Sequence, residues 1–173
     1  DDDLGAAQAM NGEMRRLDPA YVSAQRLAGW VVFAGVMTAW AVSFGLALLT
    51  DEAGLAWIRW AIGPAGAVLA PLLIWTATGW PAVSYRHWAY RLDDQGIEIH
   101  SGVVIRRVTT VPRSRVQHTD VSQGPIARRY GLGTLVIYTA GTQHARVELP
   151  GLEHGVAVGI RDALLPKTRD DAV

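Results

Sequence analysis

Six arginines fall within a short span of this chain: Arg106, Arg107, Arg113, Arg115, Arg128 and Arg129. In VPRSRVQHTDVSQGPIARRYGLGTL, residues 111–135, Asp120 is the one opposing carboxylate. Residues 86–129 hold eight arginines against four acids, a local balance of +4, although the whole chain has formal net charge zero. Guanidinium groups form paired hydrogen bonds to phosphate and carboxylate oxygens. Anion recognition is therefore the chemistry on offer. The anion is a lipid phosphate or the acidic face of a protein partner. The bland reading is a solvated surface, or a passive result of membrane topology. Nucleic acid is excluded as a partner, because aromatic side chains do not interleave with the arginines and Tyr130 stands alone.

Other chemistry is scarce. His87, His100, His118, His144 and His154 show no metal-ligand spacing. His118 and Asp120 could share a strand face, but no nucleophile lies nearby in sequence. The glycines of GLGTL follow no strand-to-helix phosphate loop and read as a tight entry into a strand. Cysteine is absent, which removes disulfides, thiolate metal sites and a cysteine nucleophile. No catalytic, cofactor or metal site is expected, and the chain reads as a non-enzyme. A hydrolase would need a convergent polar pocket.

The elements that hold the arginines begin with two apolar stretches. Leu27–Thr50 is 24 residues without a charge. As a helix it is about 36 Å long, against a hydrocarbon core of roughly 30 Å. Trp60–Tyr85, also uncharged, is 26 residues. A chain of 173 residues would struggle to surround two such helices with protein. They read as a membrane hairpin, and the first is too long for the apolar core of a cleaved signal peptide. Trp30, Trp57, Trp60, Trp80 and Trp88 lie near the span ends, where indoles bridge oil and water. Pro64 and Pro71 are expected to kink the second span. Gly35 with Ala39, and Gly66 with Ala70, offer close helix approach. Arg15, Arg16 and Arg26 precede the first span, Arg86 and Arg91 follow the second, and the loop between offers Arg59. The positive-inside bias puts both termini in the cytoplasm and residues 51–59 outside. The near absence of lysine, Lys167 alone, and the wealth of Ala, Gly and Val point to a GC-rich bacterial genome. The chain lacks an initiator methionine and reads as processed or trimmed.

Beyond Arg86 the period changes. Tyr90 and Leu92 alternate with Arg91, and Ile97 and Ile99 with Glu98 and His100, around a turn at Asp93–Gly96. Ser101-Gly102 is a second turn. TLVIYT reads as a strand covered on both faces. In ARVELP, Ala145, Val147 and Leu149 face in. Val156, Ile160, Ala163 and Leu164 mark one face of a closing helix. In PIARRY, Ile126 and Tyr130 dock while Arg128 and Arg129 face out. Upstream, the first dozen residues are expected to be mobile, and Asp18 to cap a short helix beginning at Pro19.

Two spans followed by YRLDDQGIEIHSGVVIRRVTTVPRSRVQHTDVSQGPIARRYGLGTLVIYTAG and LPGLEHGVAVGIRDALL resemble a bacterial family. It is the membrane-flanked, pleckstrin-homology-like domain family of YdbS-like proteins. The match covers roughly residues 14–166. Its features are the tyrosine-led strand before a turn, the glycine then apolar strand at Gly102–Ile105, the VPRSRVQHTDVSQG segment, YGLGTL and the TAG hairpin. The resemblance implies a pleckstrin-homology-like β-barrel or sandwich with a C-terminal helix, and no activity. It also implies work inside larger membrane assemblies, often beside a related protein bearing several such domains.

The expected organisation is a cytoplasmic segment at 1–26, a two-span hairpin at 27–85, the pleckstrin-homology-like domain at 86–166 and a tail at 167–173. The expected work is assembly or scaffolding in the bacterial inner membrane, with anionic lipid at the six arginines. A homo-oligomer, or a complex with a related multi-domain subunit, is the expected partnership. The alternative is a subunit of a transport or export complex using the kinked second span, but neither span core carries the charge that an ion route needs.

Overall fold

The computed structural model describes residues 12–49, 56–140 and 146–164, with the backbone alone for 56–60. The expected mobile start, most of the loop between the spans, the TAG hairpin beyond Ala140, Ala145 and the tail lie outside the described residues. The chain divides into two compact units, residues 22–82 and residues 1–21 with 83–173.

The second of these units is mainly β. Strand β1 (Arg15–Arg16), β2 (Ala89–Asp93), β3 (Gly96–Ser101) and β4 (Arg107–Pro112) form one antiparallel sheet in that order. A 3-10 turn at Arg113–Arg115 leads to β5 (Val116–Ser122), which pairs with β6 (Leu132–Thr139) and β7 (Arg146–Glu153) in a second antiparallel sheet. The short helix Pro125–Arg129 joins β5 to β6, and the helix His154–Leu164 closes the chain. Alternation built the strands: Tyr90, Leu92, Ile97 and Ile99 are buried, and so are Val147 and Leu149 while Arg146 and Glu148 are exposed. Leu135, Val136 and Ile137 are all buried, as a strand covered on both faces requires. The largest fully buried side chains are Leu92, Ile97, Leu135, Ile137, Leu149, Leu152, Ile160 and Leu164.

Three local expectations are corrected. Gly102–Ile105 is a turn, not a strand. Gly102 takes φ +100°, and a Cβ there would collide with the Ile105 carbonyl oxygen, so glycine lets the chain fold back. The closing helix buries Ala157, Ile160 and Leu164, while Val156 and Ala163 are half-buried. The inward stripe is rotated from the expected one, with Ala157 in the place expected for Val156. Asp18 does cap a helix, accepting from the Ala20 amide at 2.7 Å, but that helix is not short. It is α1 (Ala20–Leu49), a run of 30 residues.

The N-terminal residues belong to the β unit. Arg15 pairs with Tyr90 and Arg16 with Ala89. Leu17 is 2% exposed, and the Asp18 amide donates to the Gly151 carbonyl at 2.9 Å. Gly151 has φ +70°, and the Tyr21 ring lies where its Cβ would be.

The helical unit is an antiparallel pair of α1 with α2 (Ala56–Thr78), followed by α3 (Trp80–Arg86), which runs on into the β unit. Two segments, Ala20–Leu49 and Ala61–Arg86, are long and apolar enough to cross a membrane, and the first leaves its most apolar window unburied. Soluble core helices do not stand bare in this way, and lipid is the solvent that fits. Three contacts fix the pairing. At Gly29 a Cβ would lie 2.7 Å from Ala77 Cα, the Trp40 indole covers Gly66, and Phe44 meets Gly63. As the index rises along α1 it falls along α2. Trp40 Nε1 donates to the Ile62 carbonyl at 2.9 Å and its ring stacks on Phe44. The close approach expected at Gly35 is not made, since nothing lies within 4 Å of a Cβ there. Gly29 makes it instead. α2 continues through Pro64 and Pro71.

Candidate functional site

The six arginines singled out by sequence occupy three places. Arg106 and Arg107 are exposed at the β3–β4 turn, Arg113 and Arg115 stand in the 3-10 turn, and exposed Arg128 and Arg129 end the short helix. Strand β4 separates the first pair from the second. Its six residues, at about 3.3 Å each, put Arg107 and Arg113 roughly 20 Å apart. That is about twice the screening length at physiological ionic strength. The pair at the β3–β4 turn and the pair in the 3-10 turn are therefore separate positive sites, not one patch around one anion. Arg113 is half-buried, and its Nε is turned inward without a hydrogen-bond partner among the described residues. The short helix behaves as read: Ile126 and Tyr130 are half-buried against the β unit while the two arginines face water.

The first pair has company that sequence reasoning missed. A cleft of about 400 Å³ is lined by Arg86, His87, Ala89, His100, Ser101, Gly102, Arg106, Arg107 and Val108. Strand register assembles it. Ala89 faces His100, His100 faces Val108, and Ser101 faces Arg107. The start of β2, the end of β3 and the start of β4 therefore meet at one end of the sheet. Three arginines and two histidines line the cleft, and no carboxylate does. Among the described residues, none of Arg86, Arg106 and Arg107 takes part in a salt bridge. The ring of His87 is fixed by its Nδ1–H, which donates to the Val83 carbonyl at 2.7 Å. Its Nε2 is left for other partners.

A second cleft, about 270 Å³, lies at the β2–β3 turn and is lined by Arg91, Asp93, Gln95, Glu98 and Thr110 among others. Its charges are already matched. Glu98 accepts from Arg91 Nη2 at 2.8 Å and from His100 Nε2 at 2.5 Å. The His100 hydrogen bond, helped by the Arg91 charge and opposed by partial desolvation, holds the Glu98 carboxyl below its ordinary range. Nearby, burial pushes the Tyr90 hydroxyl above its usual value, with the Arg15 charge opposing. Only the first cleft offers uncommitted positive charge.

The geometry of the other candidates is structural. His118 and Asp120 are exposed, and the His118 ring packs on Tyr138 at 5.8 Å between centroids. Asp120 accepts from the Val121 amide. No group of three or more metal-ligating side chains comes together among the described residues.

Comparison with known proteins follows the same lines as the fold. The family model described as bacterial PH domain matches residues 27–168. A protein of Bacillus subtilis (strain 168), UPF0699 transmembrane protein YdbS, is 38% identical over 119 residues, covering 68% of this chain and 73% of that protein. No solved structure matches.

Proposed function

Because this chain belongs to the bacterial PH domain family, we propose that it is a non-enzymatic assembly or scaffolding subunit of the bacterial cytoplasmic membrane. Its pleckstrin-homology-like domain and both termini stand on the cytoplasmic side, and its arginines meet anionic lipid. The observation that carries the reading is the pairing of Arg15–Arg16 with Ala89–Tyr90. Residues on either side of the apolar pair lie side by side in one sheet. A chain that leaves for the bilayer beside the place where it returns makes an even number of crossings, and two helices are there to make them. The flanking arginines then all fall on one side, which the positive-inside bias assigns to the cytoplasm. Anionic lipid on that face attracts basic groups by about 1 kcal/mol each near the surface.

Assembly is supported by the fold rather than by any reactive group. Among the described residues β4 and β5 each end a sheet, and such edges can offer backbone to a second copy or a related subunit. Purification of the full chain from its native host in mild detergent tests the proposal. Anionic lipid and a second membrane subunit should co-purify, and lipid retention should fall as salt rises and when Arg128 and Arg129 become Ala. A strictly monomeric particle with no preference between neutral and anionic lipid would overturn it.

A further inference from the structure

We propose that the β3–β4 turn and the cleft beside it form one phospholipid-binding site, in which Val104 and Ile105 enter the acyl boundary while Arg86, Arg106 and Arg107 hold the phosphate of an anionic head group. This deepens the reading above and rests on it. Outside the two membrane-length segments Ala20–Leu49 and Ala61–Arg86, the exposed large hydrophobic side chains among the described residues are Met14, Val104, Ile105 and Val108. Three of those four stand at one turn, with Val104 86% and Ile105 77% exposed. Soluble domains do not ordinarily gather their bare apolar side chains at a single tip.

The turn is also shaped. The positive φ of Gly102 and its contact with the Ile105 carbonyl leave no room for another residue at its base. Immediately behind the apolar tip lies the cleft with three uncommitted guanidinium groups and no lining carboxylate. Its volume of about 400 Å³ suits a glycerophosphate head group. Apolar atoms backed by cations match the layering of a lipid leaflet, tails first and phosphates next. Chain continuity supplies the occupant's address. Arg86, one wall of the cleft, follows the uncharged stretch 60–85 with no residue between.

The chain has no cysteine, so V104C gives one labelling position for an environment-sensitive dye, at a side chain whose exposure makes it dispensable for folding. The full chain is placed in nanodiscs of phosphatidylcholine, with and without phosphatidylglycerol. The dye should shift to the blue, and a lipid-borne quencher should reach it, in the phosphatidylglycerol discs. R106Q with R107Q should weaken that response by about fivefold for each arginine removed. A solvent-exposed dye in both discs, or a response that ignores phosphatidylglycerol, overturns the site. The same blue shift in neutral discs on adding inorganic phosphate would mean a free-phosphate site and would overturn the lipid assignment. A second label, S122C beside the short helix, separates the two readings. A phosphatidylglycerol response at 122 without one at 104 removes this site and keeps lipid contact elsewhere on the domain, whereas silence at both removes both.

Discussion

Glu98 shows how single residues set what the sheet can bind. Its carboxylate is gripped by His100 and Arg91, and this removes one cation and one ring N–H donor from the supply open to a ligand. The folded carboxyl titrates below its ordinary value of 4.5. Its contribution to stability is therefore full above that value and is lost as pH falls through the lower, folded one. Melting of the full chain in detergent should show wild type above Glu98→Gln at pH 7, with the gap closing below about pH 4.5. A gap that widens on acidification would contradict the grip. Gly151 gives a sharper test. Gly131 and Gly151 have nearly the same φ, +68° and +70°, but a Cβ meets nothing within 4 Å at the first and the Tyr21 side chain at the second. Gly131→Ala should cost about 1–2 kcal/mol for the backbone alone. Gly151→Ala should cost a further 1–3 kcal/mol or so for the overlap. Adding Tyr21→Ala should return part of the second loss and none of the first.

Among the elements, the helix pair is held by a few close contacts. Trp40→Phe keeps a ring over Gly66 and deletes the donor to the Ile62 carbonyl. Within a bilayer such a bond contributes about 0.6–2 kcal/mol, so a modest drop in melting temperature is expected. Gly66→Leu, which fills the place of the indole, should lower it more, and Gly35→Ala should leave it unchanged. These contacts explain what a reader of the sequence could and could not see. The two apolar helices were legible because the absence of charge over so many residues has few other causes. The strands at Tyr90, Ile97 and Val147 were legible from strict alternation. The run after Gly102 misled, because VVI reads as a strand whether or not anything covers it, and coverage is decided by distant residues. β1 had no local signal at all, being two arginines whose partners lie far along the chain. The cleft was half legible for the same reason. Arg106 and Arg107 announced themselves by density, but Arg86, His87 and His100 join them only through strand register.

For the whole molecule, topology is the testable matter. With the native chain free of cysteine, Gly54→Cys and Ser101→Cys can be probed one at a time in intact cells with an impermeant thiol reagent. Position 54 should label and position 101 should be protected; the reverse pattern would invert the assignment. The pairing of β1 with β2 has a consequence for the order of synthesis. β1 leaves the ribosome before either apolar helix, and its partner is made only after both. The edge of β2 therefore waits for a strand that was translated first and held aside. Should the second helix fail to insert, β2 would emerge across the bilayer from β1. Its edge would then stay open and Leu17 would lose its cover, as an aggregation- and protease-sensitive end. On the proposed topology, then, the sheet can close only after both helices have crossed.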